Sequence, residues 1–221
     1  NERVLLTLKA RDKAERETGE RKMYFPNVTA EALEAIKRMK FVKAQGGEYA
    51  MVDVITIGFS GMQTIRNAEL GLVLHGHRAM HAAIDRNKKH GISMLVLAKI
   101  SRLLGVDQLH IGTAGAGKMD ETPADDLAYK HALEEPLYGI KPVLSVCSGG
   151  LYPATIPYLV KTLGSDIVIQ LGGGIHGHPQ GTRVGATAAR QALEATMQHT
   201  PLKEYAKTHE PLAIALKHWH S

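Results

Sequence analysis

Apolar residues along this chain fall either in short continuous runs or at helical spacing, and the two kinds of segment take turns. Six short runs, each ending in turn or polar residues, predict strands: Met23 to Asn27, Tyr49 to Ile57, Gly71 to His77, Gln108 to Thr113, Lys141 to Ser148 and Asp166 to Gly172. Between them, helical spacing marks Thr29 to Gln45, Gly61 to Leu70, Ile92 to Gly105, Asp125 to Glu135, Ile156 to Gly164 and Gly185 to Gln198. The chain opens on Arg3 to Thr18, where Val4, Leu5, Leu8 and Ala14 sit among charges; this predicts an exposed helix stopping at Gly19. The tail from Pro201 to Ser221 reads as terminal helix.

Strands that alternate with helices and are apolar throughout predict a parallel sheet covered by helices, either doubly wound or a (β/α) barrel. The strand ends separate the two. Asn27, the run His75-Gly76-His77-Arg78, His110-Ile111-Gly112, Ser148-Gly149-Gly150 and Gly172-Gly173-Gly174 all close predicted strands. Chemistry spread over so many strand ends fits a barrel, whose site gathers the C-terminal end of every strand. A doubly wound nucleotide fold would place a glycine fingerprint after its first strand, and none stands there. The expectation is an α/β fold, a parallel TIM-type (β/α)8 barrel in one domain over residues 1–221. It is incomplete, with about six of the eight units and the missing ones at the front.

Composition narrows the function. With 221 residues, 44% hydrophobic and 22% charged, the chain suits a globular domain with a sizeable core. Its apolar runs fall far short of the ~20 residues of a membrane helix. One cysteine, Cys147, excludes an internal disulfide, and Asn1-Glu2-Arg3 begins no apolar leader, so a reducing, cytoplasmic setting is expected. The net charge of +5 is carried by scattered Lys and Arg, and three Phe and one Trp offer little stacking surface, which argues against nucleic acid. A multiply charged phosphate substrate suits that charge, and so does plain solubility.

Several residues suit chemistry, each with a plainer alternative. His75 and His77, at i and i+2 of a strand, share a face and could bind a metal, or one of them packs structurally among twelve histidines. Arg78 offers a fork for phosphate or carboxylate, or a surface ion pair. The Ser148 and Gly172 clusters close the last two predicted strands, where barrels often bind phosphate through backbone N–H groups; a single such cluster would be an ordinary turn. Gly112 to Lys118 is a small-residue stretch suited to a mobile loop that closes a cation over substrate, though it lacks the spacing and hydroxyl of a P-loop. Cys147 beside Ser148 would need a base such as His110, and no third group to orient that base is identifiable.

The run from His75 through Arg86 resembles the signature of the Rubisco large chain at barrel strand five. Asp107 to Lys118, Ser148-Gly149-Gly150 and Gln170 to Pro179 follow in the family's order, so the resemblance covers nearly the whole chain. Gly112 to Met119 and Pro201 to Leu216 look more like the archaeal enzymes, the so-called form III, which use ribulose bisphosphate made during nucleoside salvage. The resemblance implies carboxylation or oxygenation of ribulose 1,5-bisphosphate to 3-phosphoglycerate with CO2 or O2. His77 would handle protons, and Lys118 of the closing loop would stabilise the carboxylate formed as CO2 adds to the enediolate. Arg78 and His110 would hold one phosphate, Ser148, Gly149 and Gly150 the substrate, and Gly172 and Gly173 the other phosphate. Asn27 and Asp53 would stand behind these groups.

The resemblance also implies magnesium held by a carbamylated lysine with neighbouring Asp and Glu. Those ligands are expected before Asn1, so none lies in this chain; the same is expected of an N-terminal domain that completes the active site of a partner subunit in a homo-oligomer. The chain alone is therefore expected to be inactive. Ile175-His176 replaces the usual Thr-Leu after the triple glycine, and Cys147 lies near the substrate serine; neither departure removes a matched ligand. Three rivals stand beside this reading. A Rubisco-like enolase or isomerase of methylthio-sugar salvage shares the fold, but the retained Lys118, Arg78 and His110 weigh against it. A metal-dependent barrel hydrolase would carry its H-x-H at strand one. A non-enzymatic remnant would leave sheet edges open.

Overall fold

The computed structural model describes residues 1–219 except Lys88. The chain divides into two compact units, one formed by Asn1–His110 with Ala132–Val143, the other by Ile111–His131 with the residues from Leu144 onward.

The first unit opens with α1 (Glu2–Thr18), whose one buried residue is Leu8, so this helix is as exposed as its charge pattern predicts. α2 (Ala32–Ala44) starts at Glu31, whose carboxylate accepts the backbone N–H groups of Leu33 and Glu34 at 3.0 and 2.7 Å. That capping satisfies donors left without partners in a first helical turn. Then follow β1 (Tyr49–Asp53), α3 (Val54–Ile57), α4 (Phe59–Asn67), β2 (Val73–His77), α5 (Ala82–Asp85), α6 (Met94–Leu103) and β3 (Gln108–Gly112). β1 and β2 are parallel, with Tyr49 beside Val73 and Asp53 beside His77; β2 and β3 are parallel, with His75 beside Gln108. Ala50, Val52, Leu74, Met39, Val42, Met62, Ile65 and Leu97 are all buried and form the apolar interior that holds these strands.

Two expectations change here. Met23 to Asn27 forms a single parallel bridge, Asn27 to Met51, flanked by the bonds Met51 N–H to Pro26 O and Val28 N–H to Met51 O. Pro26 has no N–H to give a ladder, which limits pairing to that point. The run predicted as strand from Tyr49 to Ile57 stops at Asp53, and its apolar second half turns into the short α3. Periodicity alone does not separate a buried strand from a buried helical turn in so short a run.

α6 carries an unusual core residue. Arg102 is 1% exposed, and its guanidinium donates to the carbonyls of Ala132, Ile140 and Lys141 at 2.9, 3.1 and 3.2 Å. Its fixed fork ties together carbonyls of the stretch from Ala132 to Lys141, the first of them buried.

The second unit contains the first part of α7 (Pro123–Glu134), then β4 (Leu144–Ser148), a 3-10 turn (Pro153–Thr155), α8 (Ile156–Leu163), β5 (Ile167–Gln170), α9 (Gly173–His176), α10 (Thr182–Met197), α11 (Leu202–Tyr205) and α12 (Glu210–Trp219). β4 and β5 are parallel, from Ser145 beside Ile167 to Ser148 beside Gln170. Ile156, Ala192 and Leu212 centre an apolar cluster joined by Val160, Ile169, Leu171, Leu202, Tyr205, Ala206 and Leu216. α10 buries Gly185, Ala188, Ala189, Ala192 and Ala195, side chains small enough for a close approach by a neighbouring helix. The predicted terminal helix is two helices, and its last residues, His220 and Ser221, lie outside the described residues. Among the described residues no helix is long and apolar enough to cross a membrane.

Candidate active site

In the first unit the parallel register carries residues of separate strands to the same level. Asp53 ends β1 beside His77 at the end of β2, and the Asp53 Oδ1 to His77 Nδ1 distance is 2.7 Å. Asn27 donates through Nδ2 to the other oxygen of Asp53 at 3.3 Å. Thr29 completes the arrangement, donating from N–H and Oγ1 to Asn27 Oδ1 at 2.9 and 2.6 Å and accepting the N–H of Asp53 at 2.9 Å. Asn27, Asp53 and His77, all expected from the sequence, thus form one hydrogen-bonded chain; Thr29 was not expected, and only its spacing of two from Asn27 hinted at it. A carboxylate on Nδ1 fixes the ring and leaves Nε2 as the nitrogen that can take or give a proton.

Behind His77 lies a second, fully buried chain. His75 Nδ1 meets Gln108 Oε1 at 2.7 Å, and His75 Nε2 meets His110 Nε2 at 2.7 Å. Both nitrogens of His75 are therefore occupied within the protein, so it does not form a metal pair with His77, the alternative its spacing had left open. The His110 ring stands edge-on to His75 and to His77, with centroids 4.8 and 4.7 Å apart. Burial pushes the His110 pKa down to about 2, and the neighbouring His75, His77 and Arg78 push the same way. The His75 pKa is lowered too, chiefly by burial, with the Gln108 hydrogen bond opposing and His77 adding to the shift. Two neutral rings share one N–H across their contact. Arg78 is 6% exposed and lines a small cavity with Val54, Phe59, Met94 and Leu97, so its side chain is buried instead of lying on the surface. Gln108 went unpredicted, because as an in-strand glutamine it carries no motif.

In the second unit the loop after β3 folds onto the turn after β4. Lys118 N–H donates to Gly149 O at 3.0 Å. Gly150 has φ +73, and a Cβ there would come within 2.5 Å of Lys118 Cγ, so glycine is required both by the backbone and by the lysine stem. Ser148 ends β4 beside Gln170 at the end of β5, two residues before Gly172. Gly172 precedes and Gly173 begins α9; both are exposed and have open space where a Cβ would stand, leaving their backbone approachable. Cys147 is fully buried in β4.

Residues 1–219 match the family model of the ribulose bisphosphate carboxylase large chain, catalytic domain. The chain belongs to the Rubisco large-chain family. It is 49% identical over 236 residues to the ribulose bisphosphate carboxylase of Methanosarcina mazei, covering 98% of this chain and 54% of that one. It is 48% identical to that of Thermococcus kodakarensis, covering 99% and 53%. Among solved structures, the octameric Rubisco of Pyrococcus horikoshii superposes with a TM-score of 0.95 at 43% identity, over 99% of this chain and 53% of that one. The dimeric archaeal Rubisco of Hyperthermus butylicus gives 0.87 at 44% identity, over 96% and 52%. The fold is thus that of part of the Rubisco barrel, of archaeal type, and the chain spans about half the length of the curated relatives it matches.

Proposed function

We propose that the full-length parent of this chain is a ribulose-bisphosphate carboxylase, a carbon–carbon lyase that also oxygenates its substrate. The observation that carries the reading is the bond from Lys118 N–H to Gly149 O, which lays the loop lysine against glycines assigned to substrate. In this reading Lys118 neutralises the carboxylate that develops as CO2 adds to the enediolate of ribulose 1,5-bisphosphate. His77, with Nδ1 held by Asp53, holds or moves a proton at Nε2. Arg78 and His110 bind one phosphate; being neutral, His110 contributes a hydrogen bond and Arg78 the charge. Ser148, Gly149 and Gly150 bind the sugar, and the backbone at Gly172 and Gly173 binds the second phosphate.

Among the described residues no group of three or more His, Cys, Asp or Glu is placed to hold a metal ion. The described residues do not fit magnesium by themselves; for the parent it is proposed on a carbamylated lysine and carboxylates outside this chain. The relatives in octameric and dimeric form support a homo-oligomeric parent, and the buried free thiol of Cys147 suits a reducing cytoplasm.

The test is fixation of labelled CO2 with ribulose bisphosphate and magnesium, comparing the 221-residue chain with one restored at its N-terminus. Activity in the restored chain alone supports the proposal. Activity in neither favours the Rubisco-like enolase or isomerase, and activity in both overturns the assignment of the metal ligands to a preceding segment.

A further inference from the structure

We propose that Asp126 and Tyr158 are positioning residues for Lys118, holding the near end of its loop through the two backbone groups of Ala114. The inference rests on the reading of Lys118 as the lysine that closes over substrate. Ala114 is fully buried and has φ +49, a backbone region that alanine seldom occupies. Its N–H donates to Asp126 Oδ2 at 2.5 Å, and its carbonyl accepts the Tyr158 hydroxyl at 2.9 Å. The loop is thus gripped on both sides of one residue, by α7 and by α8.

The grip is built into the strand end. Asp126 is fully buried in the first turn of α7, where the helix N-terminus favours a carboxylate. A Cβ on Gly112 would lie 2.3 and 2.4 Å from its two oxygens, so a glycine there is what lets the carboxylate in. Past Ala114 the loop turns back on itself, with Ala116 N–H on Thr113 O at 2.8 Å and Gly117 N–H on Thr113 Oγ1 at 3.1 Å, and reaches Gly149 through Lys118 N–H. From Ala114 to Lys118 the path is therefore fixed at both ends. Released from its two partners, Ala114 would relax towards an ordinary backbone region, and every residue after it, Lys118 included, would swing with it. Neither Asp126 nor Tyr158 is assigned a substrate contact, so any effect on turnover passes through the loop.

The experiment uses Tyr158→Phe and Asp126→Asn in the N-terminally restored protein, with amide hydrogen exchange resolved over residues 113–121 and, as a control, over β4 and β5. Tyr158→Phe removes one hydroxyl while keeping the ring, and should speed exchange at Lys118 by roughly fivefold, the equivalent of one ordinary hydrogen bond. β4 and β5 should stay protected, and kcat should fall while KM for the bisphosphate holds, since the phosphate contacts are untouched. Unchanged loop exchange in both variants, or faster exchange throughout the chain in both, overturns the proposal. Carboxylation by the parent protein with an unmoved loop would sink the clamp and leave the function standing. Loosened loops in a protein that never carboxylates would do the reverse.

Discussion

His110 should make this protein lose stability as the pH falls below the ordinary histidine range. In the unfolded chain its imidazole takes up a proton near pH 6.5; in the folded chain burial and three neighbouring cationic or potentially cationic groups hold the pKa down to about 2. Between those values the unfolded state binds one proton more than the folded state, so stability rises with pH there and is complete only above 6.5. The slope is about 1.4 kcal/mol per pH unit for one such group, so about two units below the unfolded pKa the loss is about 2.7 kcal/mol. His75, also depressed by burial, adds to the loss in the same direction. Urea unfolding at a series of pH values, run on the protein and on His110→Gln, isolates the effect, because surface carboxylates titrate alike in both. The variant should show a shallower pH dependence by about 1.4 kcal/mol per unit. Ring-proton NMR gives the direct check, with His110 showing no titration from pH 8 to about 5. A His110 resonance titrating near 6.5, or parallel stability curves for the two proteins, would refute the reasoning.

Other expectations follow from single contacts. Asp53→Asn should leave the fold intact but lower kcat of the parent by about 10²-fold or more, since His77 Nδ1 loses its carboxylate; a steady-state assay showing full activity would remove His77 from proton handling. Lys118→Ala should abolish carboxylation while enediolate formation, followed by exchange of the substrate's C3 proton with solvent, persists; loss of both steps would contradict the loop assignment. Arg78→Ala should mainly weaken bisphosphate binding, seen by titration calorimetry, with unchanged affinity as the contrary result. Arg102→Leu should cost about 3 kcal/mol in chemical denaturation, because three carbonyls, one of them buried, lose a charged donor.

The sequence by itself determined the class of fold and the family. Continuous apolar strands between amphipathic helices need both faces covered, and that constraint reads directly as a parallel α/β sheet. His77, His110 and Ser148 were legible as polar residues at or near the ends of apolar runs, where a parallel sheet presents its chemistry, whereas Asp53, inside a run predicted as strand to Ile57, was reached only through the family resemblance. Only tertiary structure decided what those residues bond to. The extra half of the Tyr49 to Ile57 run became α3, and Met23 to Asn27 shrank to one bridge, because apolar content does not encode where ladder pairing stops. For His75 the spacing left a metal pair with His77 and structural packing both open, and register placed Gln108 and His110 against its two nitrogens. Thr29, Asp126 and Tyr158 carry no motif, since a hydrogen bond to one particular backbone group is a matter of position across the fold, and residue type alone does not specify it.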